Sequence, residues 1–301
     1  MISRFLKRKT IVTPPTAPSV PNDVTVWAVG DVHGCLDLLV ALVEAIRADA
    51  RQSSERKTVV VFLGDYIDRG PDSRGVLRYL AALSNEESIE WRFLKGNHEE
   101  TMLKFLSDPT VGQQWCDYGG DATLASYGLR LPQMRHRVEA WAHVAADLDH
   151  HLTPAERQLL ERLELSITIG DYFFAHAGAR PGEALDRQTG EDLMWIRRTF
   201  LDSPVGFERI VVHGHTPEAE VHSDGRRVGV DTRAYASGVL SALRLSGRTR
   251  ETVQAVLPGK GGEQAEASKA TGEMDEIRVR RANLPLTSGF LVRASAATVD
   301  A

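Results

Sequence analysis

Residues 64–70 read GDYIDRG, directly after the apolar run VVVFL. Two aspartates three positions apart, then an arginine, stand between glycines at the mouth of a strand-like stretch. Asp and Gly are ordinary turn residues, so this heptad alone indicates no more than a turn. Four further stretches share its form: GDVHG (30–34), GNHEE (96–100), HAG (176–178) and GHTP (214–217). Each follows an apolar or β-branched run, and each offers Asp, His or Asn, the nitrogen and oxygen donors that suit hard or borderline divalent cations. None supplies a thiolate; Cys35 borders the first stretch but belongs to the start of the segment that follows. One such His or Asp after a strand is more often a satisfied polar residue than a ligand. Five together point to a metal centre.

The elements that must position these loops are legible in the apolar pattern. VTVWAVG, TVVVFLG, IEWRFLKG, TIGDYFFA and RIVVHG each read as a strand ending at one of the loops. Between the first two, Leu36, Leu39, Val40, Val43 and Ile46 recur at helical spacing and predict an amphipathic helix. Thr153, Pro154 and Glu156 form the signature of another helix start, with a capping box and proline at the first position. Strands alternating with helices define an α/β body, in which ligands bind at the carboxyl ends of strands. The ordered domain is expected over 23–256, with a mostly helical insert at about 104–165 that walls the substrate groove. Residues 1–22 are basic and then proline-rich, and read as a flexible tail; 257–301 read as a low-complexity tail whose apolar patch LPLTSGFLV could dock back.

Composition narrows the function. The 301 residues carry a net charge of −5, so no global positive field recommends nucleic acid. Two cysteines exclude a disulfide framework and a CxxC zinc site, consistent with a reducing, cytoplasmic setting. No apolar run is long enough for stable membrane insertion, and the N-terminus lacks the apolar stretch of a secretion signal.

The series GDxHG, GDxxDRG, GNHE, a later His and GH resembles the metallophosphoesterase superfamily. Within it, the likeness is to the phosphoprotein phosphatase family, the bacterial and phage Ser/Thr phosphatases above all, over about 24–250. The resemblance implies a sandwich of two mixed β-sheets flanked by helices, with a two-metal site at the strand ends. It implies a first ion on Asp31, His33 and Asp65 and a second on Asp65, Asn97, His176 and His215, with Mn²⁺ expected and Fe or Zn as alternatives. Asp65 would bridge. Ions about 3.5–4 Å apart can then share a water and lower its pKa to give hydroxide near neutral pH. Two divalent ions less two carboxylates and a hydroxide leave about +1, which still attracts a phosphate dianion. Many relatives end in GHxH, with the second His on the first ion; here Pro217 stands at that place, leaving the first ion three protein ligands. His213 alternates away from His215 and reads as structural.

The same resemblance implies that His98 protonates the departing oxygen, that Asp68 orients His98, and that Arg69 clamps the phosphate; Arg197 is the candidate second clamp, with Arg198 close behind. Glu99 and Glu100 read as caps of the following helix. His136, His143, His150, His151 and His222 read as solvated, and Trp115, Trp141 and Trp195 as core or pocket wall. In GVDTRAYASG, Arg233 occupies a place where relatives commonly have Gly; a surface arginine and a third basic group near the substrate both fit.

The function implied is a metal-dependent Ser/Thr protein phosphatase acting on phosphorylated proteins or small phosphoesters, without a phosphoenzyme. Symmetrical diadenosine tetraphosphate hydrolysis is the enzyme alternative, although in that group the Asp of DRG is usually replaced by a small residue. A non-catalytic scaffold binding phosphoproteins through metal is the alternative from another class. GDVHG lacks GxGxxG spacing and LPGKGG lacks the P-loop pattern, so neither nucleotide fold applies.

Overall fold

Every run placed before a loop is a strand in the computed structural model, which describes residues 15–53, 56–259 and 276–285. The first sheet contains β1 (Val24–Val29), β2 (Lys57–Phe62), β3 (Glu90–Phe93), β9 (Val239–Ser246), β10 (Thr249–Val256) and β11 (Arg278–Asn283), in the order β11-β10-β9-β1-β2-β3. The second contains β4 (Ser166–Ile169), β5 (Tyr172–Ala175), β6 (Ile210–His213), β7 (His222–Ser223) and β8 (Arg227–Gly229), in the order β4-β5-β6-β8-β7. Both sheets are mixed. β1, β2 and β3 are mutually parallel in one, and β5, β6 and β8 in the other, with antiparallel strands outside them.

Alternation along the strands builds the layers. Val26 and Ala28 of β1, with Val59 and Val61 of β2, pack on Tyr172, Phe174 and Val212 of the second sheet. Their neighbours Trp27, Val29, Val60 and Phe62 point the other way, into a cluster with the helices. The second sheet's outer face, Phe173, Ala175 and Val211, is covered by Leu193, Phe200 and Phe207. Two sheets therefore lie face to face between helical layers.

The helices are α1 (Leu36–Gln52), α2 (Ser73–Leu83), α3 (Asn97–Ser107), α4 (Gly112–Trp115), α5 (Asp121–Ser126), α6 (Val138–His151), α7 (Pro154–Glu161), α8 (Gly190–Trp195), α9 (Arg198–Leu201) and α10 (Ala234–Ser237). α1 buries Leu38, Leu39, Leu42, Val43 and Ile46, a face rotated slightly from the expected one, with Leu36 and Val40 at its margin. α7 starts with the expected Thr153–Glu156 capping box. Glu156 then accepts from the Tyr127 hydroxyl at 2.8 Å, tying α7 back to α5.

The segment expected at about 104–165 is helical, and Phe105, Trp115, Leu124, Trp141 and Leu148 bury one side of it in the main core, because these large apolar groups need a partner surface. Two features depart from the sequence reading. At the amino end, packing begins before residue 23: Val20 is buried, its N–H donates to Gly247 O, and Ser19 N–H donates to Asp171 Oδ2. At the carboxyl end, β11 adds an edge strand beyond residue 257, with Arg281 paired to the buried Asp49 at 3.0 Å. The patch LPLTSGFLV lies largely outside the described residues, as does the basic segment 1–14. No helix among the described residues is long and apolar enough to cross a membrane.

Candidate metal centre and active site

The parallel strands of both sheets bring their carboxyl ends to one place. β1, β2 and β3 deliver Asp31 and His33, Asp65 and Asn97; β5 and β6 deliver His176 and His215. Among the described residues, the non-glycine positions with positive φ are His33, Asp65, Asp68, Arg69, His215 and Arg233. Five of these are expected site residues. Left-handed backbone costs such residues of order 1 kcal/mol or more each, and it persists where the surroundings enforce it. The glycines answer for the crowding: a Cβ on Gly96 would sit 2.1 Å from Asp65 Oδ1, and one on Gly214 would sit 1.9 Å from Asp31 Oδ1.

Asp65 is the hub. Its Oδ2 lies 3.4 Å from His176 Nε2, 3.7 Å from His33 Nε2 and 3.9 Å from His98 Nε2. Two groups with metal-ligand proximity share it, His33–Asp65–His98 and Asp65–His176–His215. Asn97 joins the second through Oδ1, 3.0 Å from His176 Nε2. Asp31 stands outside both groups as they are arranged, with its two oxygens accepting the His215 N–H at 3.2 and 3.0 Å. His98 occupies the third place in the first group, where the resemblance had put Asp31.

The second ring nitrogens fix the tautomers. His33 Nδ1 faces the Ile67 carbonyl at 2.8 Å and His176 Nδ1 faces the Leu63 carbonyl at 2.9 Å. A carbonyl can only accept, so Nδ1 carries hydrogen and Nε2 turns inward in both rings. Burial pushes His33 down to about 3 and His215 down to about 2, leaving both neutral. Burial would do the same to His176, but the carboxylates of Asp65, Asp31 and Glu99 together outweigh it and lift the ring to about 9. Asp65 itself, though buried, is held well below the usual carboxylate range by His176 and His98.

Beside this cluster lies a buried acid–base pair. His98 Nδ1 is 2.6 Å from Asp68 Oδ2. Asp68 is enclosed: Trp115 Nε1–H donates to Oδ2 at 2.9 Å, Thr123 Oγ1 donates to Oδ1 at 2.6 Å, and its own N–H is shared by Ser73 and Thr123. Burial would lower His98, but Asp65 and the hydrogen bond to Asp68 raise it overall, against an opposing charge from Arg69. The Arg69 guanidinium reaches both rings, 3.1 Å from His33 Nε2 and 3.1 Å from His98 Nε2. Arg197 is exposed, and its charge acts on His215. His213 is buried against Phe200 and Arg227, outside the metal groups.

The calcineurin-like phosphoesterase family model matches residues 24–240, the span that carries all of these loops. The chain belongs to the calcineurin-like phosphoesterase family. Serine/threonine-protein phosphatase 1 of Salmonella typhimurium is 39% identical over 73% of this chain and 91% of its own. The asymmetrical bis(5'-nucleosyl)-tetraphosphatase PrpE of Bacillus velezensis is 24% identical over 76% of this chain and 92% of its own. A crystal structure assigned provisionally as a diadenosine tetraphosphatase superposes with a TM-score of 0.52 at 22% identity, over 81% of this chain and 96% of that one, which shows the fold.

This family uses a dimetal centre, and the residues present fit one. His176 Nε2 faces His215 Nδ1 at 3.1 Å as well as Asn97 Oδ1, so inward-turned donors confront one another with only a proton to share. A cation among them would make those same atoms its ligands. The phosphoesterase domain also holds groups that the loop motifs did not flag. Glu99 does cap α3 through Gly96 N–H, but it is fully buried and also accepts from Asp65 N–H at 2.9 Å and Tyr66 N–H at 2.7 Å. It therefore fixes the loop that carries the hub. Burial and the Asp65 charge push its carboxyl up to about 7. Asp231, two residues after β8, is a further buried carboxylate, and burial together with its charge pushes the Asp31 pKa well up. Trp195 is not core: it is 44% exposed and donates to Glu100. Trp115 and Thr123 could not be tied to Asp68 from sequence, since 47 and 55 residues separate them from it. The lone signal for Glu99 was its adjacency to a ligand loop.

Proposed function

We propose that this phosphoesterase is a metal-dependent phosphoprotein phosphatase that hydrolyses phosphoserine and phosphothreonine monoesters. The observation that carries the reading is the enclosed His98–Asp68 pair. A serine or threonine alkoxide is a poor leaving group and needs a proton as the P–O bond breaks, whereas a polyphosphate departs as a stable anion. A carboxylate-held imidazolium is built for the first task. The 39% identity to a named serine/threonine phosphatase supports the same choice.

Asp31, His33, Asp65, Asn97, His176 and His215 would hold two divalent ions, with Mn²⁺ the expected metal. When bound, the ions supply Lewis-acid stabilisation of phosphoryl oxygens and a water of lowered pKa. The chain's own residues do the rest. Arg69, as a planar guanidinium, can take two phosphate oxygens at once. Drawing Arg69 toward the substrate removes its opposing charge from His98 Nε2, which then holds the proton to be donated to the leaving oxygen. Asp68 keeps the Nδ1 hydrogen and the ring orientation throughout. Arg197, whose charge acts on His215, would add a second cationic contact.

A second reading is dinucleoside tetraphosphate hydrolysis, favoured by the Bacillus relative that spans three quarters of this chain. Initial rates on phosphoserine and phosphothreonine peptides, a phosphotyrosine peptide and diadenosine tetraphosphate, each with metal add-back, separate the two. The phosphopeptides are expected to give a kcat/KM at least about tenfold higher; preference for the dinucleotide overturns the proposal. Inertness toward p-nitrophenyl phosphate with added Mn²⁺ would favour a non-catalytic scaffold instead.

A further inference from the structure

Six strand ends reach the metal centre, and the sixth loop, residues 230–238 after β8, supplies Tyr235. The turn that presents it is well anchored. Arg233 takes the left-handed conformation (φ 58°), its N–H donates to Asp231 Oδ1 at 2.8 Å, and its carbonyl accepts the N–H groups of Ala236 and Ser237. This turn starts α10, and the Tyr235 ring is set against two site residues at once. The Arg69 guanidinium carbon lies 5.2 Å from the centroid of the ring face. The ring meets the His33 imidazole edge-on at 5.3 Å and 87°. Its hydroxyl is 3.5 Å from Arg69 Nη1, at the limit of a hydrogen bond. The same ring walls a cleft of about 240 Å³ with Gly34, Leu36, Pro71, Ala234 and Leu257.

We infer that Tyr235 is the positioning residue of the phosphate clamp: its ring carries the Arg69 guanidinium at the mouth of the metal centre and fixes the plane in which it meets phosphate. The inference rests on the reading of Arg69 as the clamp. Arg69 needs such a support, because apart from the His33 and His98 rings its remaining contacts are at the backbone or at the limit of hydrogen bonding: Nε to Tyr118 O at 3.4 Å and backbone N–H to Gly119 O at 3.0 Å. In the absence of phosphate the guanidinium rests on His33 and His98; once it leaves them for substrate, the aromatic face is the contact it can keep. Cation–π support of this kind asks for a ring and not for a hydroxyl. Tyr235 is 37% exposed, so it adds little to the core, and its removal should leave folding intact.

The test measures inorganic phosphate binding by calorimetry and kcat and KM on p-nitrophenyl phosphate, for Mn²⁺-loaded wild type, Tyr235→Phe, Tyr235→Ala, Arg69→Ala and the Tyr235→Ala/Arg69→Ala double variant. Metal content and Tm are recorded for each. Tyr235→Ala is expected to weaken phosphate binding and raise KM by about five- to tenfold, while Tyr235→Phe stays within about twofold of wild type. Metal content should not change. In the double variant the Tyr235 effect should vanish, because the group it positions is gone. An effect of Tyr235→Ala that persists at full size without Arg69, or no effect in the single variant, overturns the inference. If Arg69→Ala itself leaves phosphate binding unchanged, the clamp assignment fails and this inference with it; if phosphopeptides are not substrates while these phosphate results hold, the substrate reading alone fails.

Discussion

The Asp68 carboxylate stands 2.6 Å from Nδ1 of His98, and both side chains are closed off from solvent. In a buried setting, such a contact commits the ring: Nδ1 must carry hydrogen, and only Nε2 can exchange a proton with substrate. His98→Asn keeps a polar group of similar reach but cannot act as an acid. Turnover is expected to fall by about 10²–10⁴-fold, with metal content by elemental analysis nearly unchanged. Parallel loss of metal would show that His98 belongs to the ligand set, as its place in the His33–Asp65–His98 group allows.

Trp115→Phe deletes one donor to Asp68 and retains the aromatic packing on Phe105, whose ring centroid is 5.0 Å away. Loss of a hydrogen bond to a charged group is expected to cost about 1.5–3 kcal/mol at most, read as a fall in denaturation midpoint. The kinetic signature should be a lower kcat with little change in KM, since the phosphate contacts are untouched. A pure KM effect would place Trp115 in substrate binding instead.

Glu99→Gln preserves volume but replaces one acceptor oxygen with a donor facing backbone N–H groups. The loop bearing Asp65 should lose its register, with a stability loss of about 1–3 kcal/mol and metal affinity weakened about 10–100-fold, the usual scale for residues that hold metal ligands in place. Thermal melts and Mn²⁺ titration report the two effects. A variant with normal metal affinity would reduce Glu99 to the helix cap that its sequence position suggested.

Chelation followed by dialysis should abolish activity, and Mn²⁺ should restore it. Asp65→Asn is expected to lose both ions, because Asp65 is common to the two groups, whereas His215→Ala should retain one. Counting ions per chain in each variant decides this; equal stoichiometry in the two would remove Asp65 from the bridging position.

Burial pushes the thiols of Cys35 and Cys116 up to about 12, and nearby aspartates add to the rise. A raised thiol pKa favours the protonated form, so reactive thiolate is scarce at pH 8 and rises about tenfold with each pH unit up to the pKa. Alkylation by iodoacetamide at pH 8 should run far slower than that of free glutathione and accelerate toward pH 10. Fast labelling of either residue would show that its pocket opens.

Much of the fold was legible because the signals were local. Strand runs ending at GDVHG, GDYIDRG, GNHEE, HAG and GHTP carry their own period, and Thr153–Glu156 is a cap within four residues. β11 was missed for the opposite reason. It is a short arginine-rich run beyond a segment low in apolar residues, and it becomes a strand because β10 offers it an edge. Likewise Ser19 and Val20, in a proline-rich stretch, are held by Asp171 and Gly247 from distant parts of the chain.

The sequence by itself determined which nitrogen and oxygen donors would gather at the strand ends, since residue type and strand period are properties of short stretches. Tertiary structure alone decided how the site is held: Glu99 on the Asp65 loop, Trp115 and Thr123 on Asp68, and Tyr235 on Arg69. Those supports join residues up to 166 positions apart, Arg69 and Tyr235 being the widest pair. Such contacts exist only because two parallel strand sets, each buried on both faces, converge on one point and exclude water there, so that every charge must find a partner across the fold.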